Sequence, residues 1–232
     1  VGRSGSTTLM NALQAHSDIA LPNKDLWCPG SELPHRVNQQ LYLDYYGRRV
    51  GQPLRSELAL IDSFYACHRE AAFAGFKLFP TRLPEFAEFA RREDVRFIAL
   101  VRGDLPATIA SFMAARDSGR WRRTGEAQSW RWSFDPGTQG ARVACKLREL
   151  VGDLRGIRAL AGPILLTYEA LCDPGWRSAE FDAFFGRPIR LTDPAPPIDP
   201  ASYVENWPAF RGHVLSEAQR LDPGLLSWLD GV

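Results

Sequence analysis

The first residues of the chain have the types and spacing of an anion-binding loop. Residues 1–13 read VGRSGSTTLMNAL, so glycines, hydroxyl side chains and one arginine run directly into an apolar helical pattern. Glycines let a backbone curl until several N–H groups converge, and the positive end of the following helix attracts a negative group. The residues that we predict to bind a phosphate-like ligand are Arg3, Ser4, Gly5, Ser6, Thr7 and Thr8.

The same loop departs from the ATP-binding P-loop. The nucleoside triphosphate pattern G-x-x-x-x-G-K-[ST] places a lysine directly after its last glycine. In this chain Ser6 follows Gly5, and the nearest cation, Arg3, precedes that glycine. The loop therefore predicts a phosphate-like ligand and disfavours a triphosphate that is hydrolysed.

A second set of residues could bind another anion. Arg102 follows the predicted strand at residues 96–101, and Ser111 comes nine positions later in a predicted helix. An arginine at a strand end and a serine about two turns into the next helix could both reach one phosphate above the helix start. Lys77, in another predicted strand, is either a further cation of the site or a surface lysine.

Strands and helices alternate along the predicted chain, and this alternation indicates the fold class. Strands are predicted at residues 19–21, 75–79, 96–101 and 164–167. Helices are predicted at residues 6–16, 33–46, 56–72, 83–92, 105–118 and 143–160, from 168 to about 185, and at the C-terminal end, with irregular chain over 186–210. The pattern predicts an α/β fold, in which a central, mainly parallel sheet is flanked by helices and ligands bind beyond the carboxyl ends of the strands.

The composition limits the kinds of partner that the chain can have. It has 232 residues, of which 45% are hydrophobic and 24% charged, with a formal net charge of +1, so bulk electrostatic binding to nucleic acid or to a membrane is not expected. No apolar run reaches about 18 residues, and no signal peptide is recognisable. The four cysteines form no C-x-x-C pair, which argues against a zinc site or a redox motif. We expect them to be free thiols in a reducing, cytoplasmic compartment, with two disulfides as the alternative. We expect a single domain over residues 1–232, with a buried strand preceding Val1.

Two segments carry a resemblance to a known family. Residues 2–9, GRSGSTTL, resemble the 5′-phosphosulfate loop of sulfotransferases that use 3′-phosphoadenosine 5′-phosphosulfate (PAPS). Residues 97–121, from FIALVRGD through Ser111 to Trp121, resemble the 3′-phosphate segment of these enzymes, and look most like the bacterial carbohydrate sulfotransferases. Weaker similarity, in the family's order along the chain, lies at residues 13–19, 75–80, 166–171 and 204–207.

The resemblance implies a P-loop NTPase-like three-layer fold and a sulfotransferase activity. A sulfuryl group would pass from PAPS, without a metal, to a hydroxyl of a carbohydrate or another small metabolite, leaving 3′,5′-bisphosphoadenosine. Arg3 would stabilise the departing phosphate, and Arg102 and Ser111 would hold the 3′-phosphate. Lys77 would orient the general base or bind the sulfuryl group.

The identity of the general base, which removes the proton of the acceptor hydroxyl, stays open among three residues. Glu32, in GSELPH, is favoured by its similarity to a Gly-Glu-Leu-Phe-type segment of the family. Asp25 follows Lys24 and can instead be aligned with a Lys-Glu pair of the heparan-type branch, and His35 is the third candidate.

Two other functions remain compatible with the sequence. One is a P-loop kinase or NTPase, against which the absence of a Gly-Lys pair counts. The other is a nucleotide-binding module of the same fold that has lost catalysis.

Arg131 and Trp132, with the run at residues 120–123, could stack on a sugar ring, although a packed helix end is favoured. Tyr168 and Glu169 are expected to fix a strand–helix junction.

Overall fold

A computed structural model describes residues 6–21, 33–78, 80, 91–118, 131–190 and 199–231, and only the backbone of residues 7, 33–39, 41 and 57. Short strands and longer helices alternate in it. In chain order the elements are α1 (Ser6–Gln14), β1 (Ile19–Ala20), α2 (Leu33–Val50), α3 (Glu57–Cys67), β2 (Phe73–Ala74), β3 (Ile98–Val101), α4 (Leu105–Ser118), α5 (Pro136–Arg158), β4 (Ile164–Thr167), α6 (Tyr168–Leu171), α7 (Ala179–Phe185), a 3-10 turn (Pro200–Ser202), α8 (Trp207–Leu221) and α9 (Leu225–Asp230).

The described residues form two compact units, each made from separate stretches of chain. The first unit contains the described residues of Thr7–Arg96 and Arg177–Thr192. The second unit contains those of Phe97–Trp176 and Asp193–Val232, together with Ser6. None of the helices in the described ranges is both long and apolar enough to span a membrane.

The first unit is built on the parallel pair β1–β2. Ile19 pairs with Phe73 and Ala20 with Ala74, and the Gly75 N–H donates to the Ala20 carbonyl at 3.0 Å. Helices α2 and α3 and the segment between them supply a core that is aromatic and aliphatic, formed by Tyr46, Leu54, Leu60, Ile61 and Phe64. α7 belongs to this unit as well, because the ring of Phe73 lies 4.8 Å from that of Phe185.

The second unit is built on the parallel pair β3–β4, in which Ile98 pairs with Ile164 and Val101 with Thr167. α5 begins where the Asp135 side chain accepts a hydrogen bond from Gly137 N–H, with Pro136 as the first helical residue. Its apolar residues recur at steps of three and four, as the sequence predicts, and all are buried: Val143, Leu147, Leu150, Leu154 and Ile157.

The C-terminal part of the second unit is joined to the segment before α5. Trp132 pairs with Val204 in an isolated parallel bridge, and the Trp132 N–H donates to the Tyr203 carbonyl at 2.7 Å. The Asn206 side chain donates to the Phe134 carbonyl at 2.6 Å and accepts from its N–H at 2.9 Å. The two segments therefore pair through backbone and side-chain amides although they are far apart in sequence.

Several predicted element boundaries are wrong. The strand predicted at residues 75–79 is absent from its described part, residues 75–78, because the strand lies before it, at Phe73–Ala74, and its partner β1 ends at Ala20. Phe76 and Leu78 are instead packed against the core of the first unit. This burial explains the apolar pattern that predicted a strand.

The helix predicted from residue 168 to about 185 is divided into α6 and α7. Pro174 and Gly175 lie in the turn between them, and the Gly175 N–H donates to the Asp173 carboxylate at 2.8 Å. The helix predicted at residues 56–72 ends at Cys67, and α8 begins inside the predicted irregular stretch. Most of the helix predicted at 83–92 lies outside the described residues, and its end at Arg91–Arg92 is not helical.

Candidate anion-binding site

The register of β3 and β4 brings two short sequences together at one edge of the second unit's sheet. Val101 and Thr167 are paired and are the last residues of their strands. The strands are parallel, so the residues that follow them leave the sheet at the same edge. Arg102 therefore lies beside Tyr168, and the Gly103–Asp104 turn lies beside Glu169.

Arg102 is a buried cation, with 9% of its surface exposed. Its guanidinium carbon lies 4.7 Å from the centroid of the Tyr168 ring, a distance typical of a cation–π contact. Its Nε lies 3.9 Å from Glu169 Oε1, which is an ion-pair distance but too long for a hydrogen bond. This Nε is buried and has no hydrogen-bond partner among the described residues.

The Glu169 carboxylate is held by the turn that joins β3 to α4. Oε2 accepts a hydrogen bond from the Gly103 N–H at 3.1 Å, and Oε1 accepts one from the Asp104 N–H at 3.2 Å. The carboxylate stays at the surface, since 43% of the side chain is exposed. Glu169 itself lies in the first turn of α6, where the Thr167 side chain accepts a hydrogen bond from the Ala170 N–H.

α4 begins directly after this turn and is fixed by Asp104. The Asp104 carboxylate accepts from the Ala107 N–H at 2.9 Å, and its carbonyl accepts from the Thr108 hydroxyl at 3.0 Å. The helix is buried along most of its length, which anchors the turn to the core. Ser111 lies half-buried about two turns into α4. Arg102 thus follows a strand and Ser111 lies in the next helix, which are the elements that the sequence predicts for them.

The first loop is described only from its last residues onward. Arg3, Ser4 and Gly5 lie outside the described residues. Ser6 is the first residue of α1, so Ser6, Thr7 and Thr8 form the helical first turn that the sequence predicts. The N–H groups of such a turn have no carbonyl partner within their own helix, and a negative ligand can accept hydrogen bonds from them.

Lys77 follows β2 rather than lying in a strand. It is half-buried, three positions beyond Ala74, and Phe76 and Leu78 on either side of it pack against the first unit's core. Lys77 is not a free cation in this position, because it takes part in at least one noncovalent interaction. Of the candidate bases, Glu32 and Asp25 lie outside the described residues, and His35 lies in the first turn of α2.

Trp132 belongs to the core and not to a sugar-binding surface. Only 4% of it is exposed, and its ring lies 5.2 Å from that of Phe210. Its indole N–H donates to the Asp117 carboxylate at 3.2 Å. This agrees with the packed alternative for Trp132, whereas residues 120–123 lie outside the described residues.

Comparison with known proteins adds no assignment to this geometry. No protein-family model matches the chain, and neither a curated protein nor a solved structure matches it. Within the described ranges, no group of three or more histidine, cysteine or acidic side chains is placed to hold a metal ion. The arrangement that stands out chemically is the buried Arg102 guanidinium with Tyr168 and Glu169 beside it.

Sequence reasoning named Arg102 but did not connect it with Tyr168 and Glu169. These two residues were expected only to fix the junction after β4. Glu169 contributes to this by accepting hydrogen bonds from the Gly103 and Asp104 N–H groups, which follow β3. The signal that could have revealed them is that both sequences follow predicted strands of one parallel sheet. Because adjacent parallel strands end at the same edge, residues after one strand are candidates to contact residues after the other.

Proposed function

We propose that the chain is a PAPS-dependent sulfotransferase that transfers a sulfuryl group to a hydroxyl of a carbohydrate or another small metabolite. The observation that supports it most is the buried Arg102 guanidinium at the end of β3. Burying a cation costs several kcal/mol of hydration, and its Nε lacks a hydrogen bond within the described residues. Such a cost is expected where a fold keeps a cation ready for a negative ligand.

The fold that goes with this proposal is the three-layer arrangement of P-loop NTPase-like proteins. The two parallel strand pairs, each packed with helices, are compatible with this arrangement. In that arrangement a loop at the start of α1 and the turn before α4 would both serve a nucleotide. The loop of Arg3, Ser4, Gly5, Ser6, Thr7 and Thr8 would hold the 5′-phosphosulfate, whereas Arg102 and Ser111 would hold the 3′-phosphate.

The proposed reaction exchanges one sulfur–oxygen bond for another. The bond from sulfur to the bridging oxygen of the 5′-phosphate breaks while the acceptor oxygen bonds to sulfur. The acceptor proton passes to a base, for which we prefer Glu32 over Asp25 and His35. Negative charge grows on the departing phosphate, where Arg3 would stabilise it, and Lys77 would bind the sulfuryl group or orient the base. Positioning and charge stabilisation supply most of the catalysis in transfers of this kind.

The direct test is isothermal titration with 3′,5′-bisphosphoadenosine, followed by incubation with PAPS and a panel of hydroxyl acceptors. We expect binding tighter than that of 5′-AMP, and formation of the bisphosphate product only when an acceptor is present. No binding of the bisphosphate would refute the proposal. Magnesium-dependent ATP turnover would instead favour a kinase or NTPase, and binding without transfer would favour a module that has lost catalysis.

Variants separate the roles that we assign to the loop and to the base. Arg3→Ala should strongly depress the rate of sulfuryl transfer while leaving the melting temperature nearly unchanged. Glu32→Gln should abolish turnover and leave bisphosphate binding intact, whereas Asp25→Asn should retain turnover. The opposite pattern for these two carboxyl variants would show that Asp25 is the base.

A further inference from the structure

The two residues that follow β4 contact the Arg102 guanidinium from two directions. The Tyr168 ring faces its carbon at 4.7 Å, and Glu169 Oε1 approaches its Nε at 3.9 Å. The two contacts restrict rotation of a long side chain that otherwise has several rotatable bonds. An anion would then be bound by the Nη groups, whose fork suits the oxygens of a phosphate.

Glu169 also fixes the backbone directly after Arg102. Each of its carboxylate oxygens accepts one N–H of the Arg102–Asp104 turn, from Gly103 at 3.1 Å and from Asp104 at 3.2 Å. These are the amides that a helix start could offer to a ligand, and here a side chain of the protein already accepts them. An anion at this edge must therefore be bound mainly by side chains.

We propose that Glu169 is a positioning residue of the Arg102 anion site, acting by holding the turn and the guanidinium in one orientation. The identity of the ligand, the 3′-phosphate of PAPS, rests on the proposed function. Glu169 does not use up the hydrogen-bonding capacity of the guanidinium, because the shortest approach of the pair, 3.9 Å, is longer than a hydrogen bond.

The carboxylate charge works in the opposite direction, since it lowers the positive potential near Arg102. This effect is small, because 43% of the Glu169 side chain is exposed and water and salt screen its charge. The two hydrogen bonds to the turn are local and geometric, so they are not screened in this way. Removing Glu169 is therefore expected to weaken anion binding rather than strengthen it.

Isothermal titration of Glu169→Gln and Glu169→Ala with two nucleotides tests this role. We expect the affinity for 3′,5′-bisphosphoadenosine to fall about 5- to 20-fold, as for the loss of one or two hydrogen bonds. The affinity for 5′-AMP, which has no 3′-phosphate, should stay within about twofold. Glu149→Gln is the matched control, because Glu149 is an exposed carboxylate of the same unit that pairs with Lys146 at 2.8 Å.

Two results would overturn the proposal while leaving the sulfotransferase function in place. Tighter binding of the bisphosphate by Glu169→Gln would make Glu169 a competing anion. An equal loss of affinity for both nucleotides would show a general structural effect.

If the wild-type protein does not prefer the bisphosphate, the proposed function fails, and a ligand-free measurement decides the role of Glu169. Nitrogen-15 NMR of the arginine side chains reports the Arg102 Nε–H signal, which Arg102→Met identifies by removing it. Positioning predicts that Glu169→Ala shifts and broadens this signal, whereas Glu149→Gln leaves it unchanged. An unaltered Arg102 signal in Glu169→Ala would refute the positioning role whatever the ligand is.

Discussion

Replacing Arg102 by methionine should separate stability from ligand binding. Methionine keeps an unbranched apolar stem in the buried position and removes the guanidinium. If Arg102 is kept for a ligand, the variant should fold about as stably as the wild type, or more stably, and bind the bisphosphate much more weakly. A purely structural arginine would give the opposite pair of results.

The contacts of Arg102 set the expected size of the stability effect. The contact with Tyr168 contributes about 1–2 kcal/mol, and the ion pair with the exposed Glu169 at 3.9 Å contributes less than about 1 kcal/mol. Against these gains stands the lost hydration of a side chain that is only 9% exposed, which costs several kcal/mol. The free energy of unfolding should therefore stay within about 1 kcal/mol of the wild-type value or rise.

The expected loss of affinity is larger. Hydrogen bonds between a charged group and its ligand contribute about 1.5–3 kcal/mol. At 1.4 kcal/mol for each factor of ten, this corresponds to about 10- to 150-fold weaker binding of 3′,5′-bisphosphoadenosine.

Urea unfolding and isothermal titration on one preparation measure both quantities. Arg148→Met, at an exposed position of α5, is the matched control and should change neither. A loss of more than about 2 kcal/mol of stability, with unchanged affinity, would refute the reasoning.

Three other perturbations test the packing and the charges. Asn206→Ala removes both amide contacts with Phe134, about 2 kcal/mol, and should lower the melting temperature by about 4–8 °C in a calorimetric scan. Phe210→Ala, at a fully buried position, should cost about 3–5 kcal/mol in urea unfolding. A hydrogen bond from Arg187 holds the pKa of Asp18 below its ordinary value of 3.8. The ionised carboxylate therefore stabilises the fold fully above pH 3.8, and this stabilisation is lost as the pH falls through the lowered pKa. Asp18→Asn should therefore melt lower at neutral pH and converge with the wild type on acidification, and a constant difference at every pH would contradict this.

The elements around Arg102 could be predicted because each is marked locally. β3 and β4 are short apolar runs, and the buried face of α5 repeats at helical steps. The break between α6 and α7 was also within reach, since Pro174 and Gly175 are turn residues. The strand prediction at residues 75–79 was wrong for a reason that no local pattern shows. A strand needs a partner strand, and β1 ends at Ala20, too early to supply one.

The partners of Arg102 could not be obtained from local patterns. Gly103 and Glu169 are 66 positions apart, and they meet only because β3 and β4 pair in one particular register. A shift of that register would place other residues beside the arginine. The burial of Trp132 depends in the same way on a distant segment, through its bridge to Val204. Sequence reasoning thus found the cation but not the side chains that orient it.

The discontinuous make-up of both units has a consequence for the order in which the chain folds during synthesis. The first unit needs Arg187 to pair with Asp18, 169 positions earlier, and α7 to cover Phe73. The second unit needs Asn206 to hold Phe134. A ribosome must therefore release Arg187 before the first unit can close and Asn206 before the second can, and the slow search for such distant contacts exposes apolar surface meanwhile. Nascent chains that stop before Arg177 should consequently depend on chaperones to remain in solution.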